Sequence, residues 1–324
     1  MFSPQPRLPA PVWTAETLTG MALEICAASL DPDAGPEALD LATQWLACGT
    51  YGDDYFPALF DRDRDMAGAK LFNARVPAFL PLDCGTTPAP ENAFEASLAD
   101  LWRRTAAPMD DRGRREFRAA VENMVESWVW ELNNHLQGRI PDPVDYIEMR
   151  RHTFGSELTM SLSRIEHAHA VPAHVFETRT LRELDASAMD VACLLNDCFS
   201  YQKEIEYEGE LNNGVLAIEN FFGCGRDEAL PIVNDLITSR RRQFEHLATR
   251  EVPALADDLA LDDTARTALT AYVAELRDWL AGILKWHRET DRYNERETLP
   301  RIPKPTGLGT SAIYLFTRSA HHGT

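Results

Sequence analysis

The stretch LLNDCFSYQKEIEYEGE, Leu194–Glu210, decides how the chain is read. Leu194, Leu195, Phe199 and Ile205 recur at helical spacing, so the segment reads as a buried helix. Yet Asn196, Ser200 and Glu204 stand four residues apart on it, within about 40° of one line. An amide oxygen, a hydroxyl and a carboxylate are hard oxygen ligands, a set that suits Mg2+. Gln202 and Lys203 share the same turn, and a lysine beside a metal points to an anionic ligand such as a phosphate. The competing reading is that Ser200 and Asn196 bond back to their own helix while Glu204 is solvated.

The bulk numbers narrow the classes. The chain has 324 residues, 44% hydrophobic and 26% charged, an ordinary globular composition. Its 51 acidic against 32 basic residues give a net charge of −19, which repels nucleic acid and anionic membrane surfaces. The six cysteines make no C-x-x-C pair, which argues against a thiolate zinc site and for a reducing, cytoplasmic setting. The N-terminus lacks a signal peptide's apolar run, and no stretch of about 18 apolar residues suggests a membrane span.

Nearly every periodic segment has the helical period, which predicts an all-α chain. Helices are expected over 14–30, 36–57, 91–107, from an Asp110 N-cap to about Leu136, and from Pro143 to Thr153. Others are expected over 156–168, 179–208, 213–222, 226–251 and 262–290. One helical domain over residues 1–295 and an irregular Pro/Gly-rich tail over 296–324 is the simplest division.

Three further stretches carry chemistry. YGDDYFPALF ends an apolar helix with Asp53 and Asp54, adjacent acids that repel unless a cation neutralises them. DYIEMRRHTFG carries Arg150 and Arg151, and arginine grips phosphate bidentately. WHRETDRYNE sets Arg292 beside Tyr293 at the end of the last long helix. Singly, each is equally a solvated terminus or a surface pair.

Together and in this order, the four stretches resemble the class I terpene synthases, with Arg150 lying 46 residues before Asn196, close to that family's usual spacing. YIEMRRHTFGSELTMSL, LLNDCFSYQKEIEYEGE and WLAGILKWHRETDRY look most like the C-terminal, geosmin-forming half of two-domain germacradienol/geosmin synthases. The resemblance implies the isoprenoid synthase helical bundle around a central apolar cavity, and up to three Mg2+ ions with diphosphate. It implies Asp53 as a metal ligand, with Asn196, Ser200 and Glu204 holding a second position. Asp54 would pair with the sensor or orient water. Arg150 would sense diphosphate, Lys203 would bind it, and Arg292 and Tyr293 would hydrogen-bond it. Thr153 and Phe154 would lie in the helix break after the sensor.

Two departures stand out. Pro57 replaces a second acid, so the first metal cluster rests on Asp53, with Asp61, Asp63 and Asp65 read as a solvated loop. Only 52 residues precede Asp53, so either part of an N-terminal lid is absent or the chain is the back half of a longer protein. The partners expected are an isoprenoid substrate and either a second copy or a linked N-terminal cyclase domain. Aromatic faces stabilise a carbocation by about 0.5–2 kcal/mol each. Trp45, Phe56, Phe60, Phe154, Phe221 and Trp286 are the candidates, each equally open to ordinary core packing. Three activities follow: a lyase converting germacradienol to geosmin with loss of acetone, a sesquiterpene cyclase using farnesyl diphosphate, or a non-catalytic binding domain.

Overall fold

The computed structural model describes residues 12–160 and 170–293. Every regular element among these residues is helical. Of the helix expected over 156–168, residues 156–160 are helical; the remainder, like the tail over 296–324, lies outside the described residues.

Capping chemistry sets several boundaries. The carboxylate of Asp110 accepts from the Gly113 N–H and starts helix Asp111–Gln137, which Gly138 ends at φ +61°. Asp142 caps Pro143–Thr153, with proline in the first turn, where its missing N–H costs nothing. Asp262 caps the final long helix, Asp263–Glu289.

Elsewhere the expectations need correction. The helix expected over 14–30 is two, Ala15–Gly20 and Leu23–Leu30, separated at Ala22 with φ 50°. The acid-bearing helix does not stop at Pro57 but runs from Pro36 to Phe60. Proline has no N–H, so the carbonyl of Asp53, one turn earlier, receives no helical bond from position 57. Helices Met66–Arg75 and Val252–Asp258 were not foreseen. The segment expected as one helix over 179–208 is an α-helix, Arg179–Tyr201, continued by a π-helix, Gln202–Glu208. Such wide turns recur at functional sites.

Among the described residues a small apolar cluster gathers around Tyr201, Val215 and Val233, and two larger ones carry most of the packing. One joins Arg179–Tyr201 to Asp263–Glu289 and Leu23–Leu30, around Leu184, Tyr272 and Trp279. At its closest approach, a Cβ on Gly282 would lie 2.2 Å from the Ser29 carbonyl, so the two helices can meet only through glycine. The other joins Pro36–Phe60 to Ala93–Ala106 and Asp111–Gln137, around Trp45, Phe72, Phe94 and Trp128. Asp53 therefore projects from one half of the bundle and the Asn196 row from the other, with the Pro143–Thr153 helix packed against both Asp111–Gln137 and Arg179–Tyr201.

Candidate active site

The Asn196 row is not bonded back into its helix. Elsewhere Ser127 and Ser187 do so, donating to the carbonyls of Met124 and Leu184. The Asn196 Oδ1 instead accepts from Arg150 Nη2 at 2.6 Å, and the Ser200 hydroxyl meets Asn213 Nδ2 at 3.5 Å. Glu204 lies in the π-turn, and its Oε2 accepts from Asn213 Nδ2 at 3.0 Å.

Asn213 is a residue the sequence reading missed. It is fully buried, and its Oδ1 caps helix Gly214–Phe222 through the Val215 N–H. One side chain therefore ties the start of that helix to two members of the row. The signal was present in the sequence, because an Asn one residue before a helix is an N-cap pattern, but its second set of contacts is tertiary.

Arg150 is buried and fully engaged. Its Nε donates to Asp197 Oδ1 at 3.0 Å, Nη1 to Thr153 Oγ1 at 3.0 Å, and Nη2 to Asn196. The Phe154 ring lies 5.5 Å from the guanidinium. The helix carrying Arg150 ends at Thr153, and Gly155 adopts φ +70°. Asp197, also missed, accepts from Tyr146 Oη and the Gly214 N–H as well. A Cβ at Gly214 would come within 2.6 Å of that carboxylate, so glycine is what admits it. Burial raises the Asp197 carboxyl to about 6 despite Arg150. Next along the sensor helix, Arg151 grips Asp190 with two bonds of 2.6 and 3.0 Å.

The first and last described segments meet here. Arg292 donates Nη1 and Nη2 to the two oxygens of Asp54, and Trp13 Nε1 donates to Asp54 Oδ2 at 2.8 Å. Asp54 thus pairs with the C-terminal arginine and not, as expected, with the sensor Arg150. Burial works against the Asp54 anion, but Arg292 outweighs it and holds the carboxyl far below its ordinary range. Burial and neighbouring Asp54 push Asp53 up to about 6, against the pull of Arg292, Arg150 and Lys203. Tyr293 Oη accepts from Asn196 Nδ2 at 2.8 Å, which completes the link from the last motif to the row.

Asp53 keeps 45% of its side-chain surface open although protein surrounds it, as for a group lining a cleft. Other acids, absent from the sequence reading, face the same space. Glu131 is driven well up by burial and by Asp53, and it shares a hydrogen bond with Thr153. Glu210 is raised to about 8 by burial and by Glu208 and Glu204. Lys203 donates to Glu208 at 2.7 Å; burial disfavours its ammonium, yet Glu208 leaves it above the ordinary lysine value.

The aromatic candidates divide. Trp45 is buried with Nε1 on Thr105, and Phe56 and Phe60 pack with Phe72. Trp286 donates to the Met21 carbonyl. These are core contacts. Phe221 is a correction: it is 58% exposed, edge-on to Phe222, and cannot shield a cation there. Phe199, which packs 5.3 Å from His287 beside Asn196, went unnoticed as a candidate.

The donor chemistry fits a hard divalent cation. Asn196 Oδ1 already faces a positive group, Ser200 and Glu204 follow on the same side, and Asp53 stands near Arg292, 3.9 Å from Nη2. Among the described residues there is no cluster of three His, Cys, Asp or Glu side chains around one point. Two of the three row positions are Asn and Ser, so that type of cluster is not what this row forms.

Comparison with known proteins gives the family of the chain. The family model for terpene synthase family 2, C-terminal metal binding, matches residues 44–243. Pristinol synthase of Streptomyces pristinaespiralis is 28% identical over 297 residues, 87% of this chain and 78% of that one. A Roseiflexus castenholzii (+)-T-muurolol synthase, described as farnesyl diphosphate cyclizing, is 28% identical over 270 residues, covering 83% of this chain and 79% of its own. The crystal structure of germacradien-4-ol synthase from Streptomyces citricolor superposes with a TM-score of 0.74 at 27% identity, over 85% of this chain and 86% of that one. The chain belongs to terpene synthase family 2, a family of lyases with the class I isoprenoid synthase fold. No described helix is long and apolar enough to cross a membrane.

Proposed function

We propose that the chain is a Mg2+-dependent sesquiterpene cyclase acting on farnesyl diphosphate. The observation that carries this reading is the convergence of Arg150, Lys203, Arg292 and Tyr293 on the space beside Asp53 and the Asn196 row. A carbocation precursor that leaves as an alcohol would not call for three cations and a phenol around one anion.

In the proposed reaction the allylic C–O bond breaks heterolytically and its electron pair leaves with the diphosphate. Mg2+ held by Asp53, Asn196, Ser200 and Glu204 would supply positive charge against that leaving group. The protein's own donors act at the same oxygens. Each cation is now engaged with an acid: Arg292 with Asp54, Lys203 with Glu208, Arg150 with Asp197. The internal pairs preorganise the donors and hold them charged, so a diphosphate exchanges partners and does not have to order free side chains. The hydrocarbon cation left behind requires exclusion of water.

A second reading has one observation in its favour. Conversion of germacradienol to geosmin with loss of acetone starts by protonating an alkene. Glu131 and Glu210 are carboxyls raised by burial beside the same cleft, Glu210 to about 8. Incubating the purified chain with farnesyl diphosphate and with germacradienol in parallel, each with Mg2+, separates the two by product analysis. Terpenes from farnesyl diphosphate support the first reading; geosmin or an octalin from germacradienol alone replaces it with the second.

A further inference from the structure

His287 lies in the WHRETDRYNE stretch but was given no role there, yet it touches two members of the site. It is buried at 3% exposure on the final helix. Its ring stacks on Tyr293 at 5.3 Å, nearly parallel at 2°, and its Nε2 lies 2.8 Å from Asn196 Nδ2.

The direction of that bond follows from chemistry. Nδ1 lies 2.8 Å from the Ile283 carbonyl oxygen, which can only accept, so Nδ1 carries the proton. A neutral ring then offers a lone pair at Nε2, and the amide donates to it. The Asn196 amide nitrogen can only donate, so the 2.8 Å contact at Nε2 itself requires a neutral ring. At the other side of the same amide, Arg150 has only protons to offer and meets Oδ1. Two independent partners thus impose one orientation, with Nδ2 toward His287 and Tyr293 and Oδ1 toward Arg150.

We propose that His287 is a positioning residue that holds the Asn196 carboxamide with its oxygen presented to the metal. An amide free to turn over would offer an NH2 to the cation for part of the time. The inference deepens the proposed function and rests on Asn196 being a metal ligand. Loss of a hydrogen-bond partner behind a metal ligand typically weakens the metal about 10–100-fold.

The test is Mn2+ binding in the presence of inorganic diphosphate, followed by the electron paramagnetic resonance signal of free Mn2+, which needs no turnover. His287→Phe keeps a ring against Tyr293 but has no acceptor; His287→Gln places a carbonyl oxygen near the Nε2 position. The expected result is Mn2+ binding at least tenfold weaker in His287→Phe, recovered within about threefold in His287→Gln. Unchanged binding in His287→Phe, or equal losses in both variants, overturns the proposal. If His287→Phe does not fold, His287→Gln decides: near-native affinity supports the proposal, and a tenfold loss in folded protein overturns it. Failure of the underlying reading looks different, because the unaltered chain then binds no Mn2+, or Asn196→Ala binds it equally well.

Discussion

Arg292 clasps Asp54 with two hydrogen bonds, Nη1 to Oδ2 at 2.9 Å and Nη2 to Oδ1 at 2.8 Å, across 238 residues of sequence. The contact locks the end of the final helix onto the acid-bearing helix, with Trp13 on the same carboxylate. A lysine at 292 retains the charge but not the planar fork that spans both oxygens. Arg292→Lys is expected to lower kcat/KM with farnesyl diphosphate about 10²-fold, the scale of removing one preorganised donor. Steady-state kinetics checks this, and a drop of less than about threefold would remove Arg292 from the proposed diphosphate site.

Asp197 is the buried counter-ion of Arg150, with Tyr146 and the Gly214 N–H as further donors. Removing one partner strands a buried charge at a cost of about 3–5 kcal/mol. Asp197→Ala is therefore expected to lose that much stability in urea unfolding. Ser200→Ala, which removes a group whose contact is a long 3.5 Å bond, is expected to stay within about 1 kcal/mol of the parent.

Asn213 performs two tasks that one substitution can separate. Asn213→Ser retains an oxygen able to cap helix Gly214–Phe222, whereas Asn213→Ala loses it at about 1 kcal/mol. Neither retains the Nδ2 donor to Glu204. Thermal melts are expected to rank Ser above Ala. Titration of activity with Mg2+ is expected to show both needing about tenfold more metal than the parent. Parent-like metal dependence in both would mean that Glu204 is positioned without Asn213.

How much of this was legible in the sequence differs by residue. Asn196, Ser200 and Glu204 could be placed on one line because helical periodicity is local. The cap at Asp110 follows from short-range chemistry, and the helices from Asp111, Pro143 and Asp263 start within about a residue of where they were expected. The π-turn at Gln202–Glu208 could not be read, because the change from one helical pitch to another leaves no apolar periodicity of its own. Nor could the partner of Asp54: adjacency showed that two acids need a cation, but only tertiary structure says that Arg292, not Arg150, supplies it. Phe221 failed for a related reason. An aromatic in an apolar segment has no sequence mark telling the inner face of a short surface helix from the outer.

The acids around the cleft give stability a defined pH dependence. The Glu210 carboxyl is raised from 4.5 to about 8, so the folded state holds a proton that the unfolded state releases. Its contribution is complete below about 4.5 and is lost as pH rises through 8. His287 acts oppositely, since its ring is lowered from 6.5 to about 4, and its contribution is complete above 6.5. Between pH 6.5 and 8.5 only the acid effect remains of these two. The metal-free protein in chelator is therefore expected to melt at progressively lower temperature across that range. Glu210→Gln is expected to flatten the slope, and an unchanged slope would show that Glu210 does not hold its proton there.

The central claim is that Asp53 and the Asn196 row hold metal against a substrate diphosphate gripped by Arg150, Lys203 and Arg292. Release of inorganic diphosphate from farnesyl diphosphate tests it most directly, measured with and without Mg2+ for the parent chain and Asn196→Ala. The account predicts metal-dependent release accompanied by terpene products, reduced at least 10²-fold in a folded Asn196→Ala. Intact farnesyl diphosphate after incubation with folded parent chain and Mg2+, or release that Asn196→Ala leaves unchanged, would contradict it.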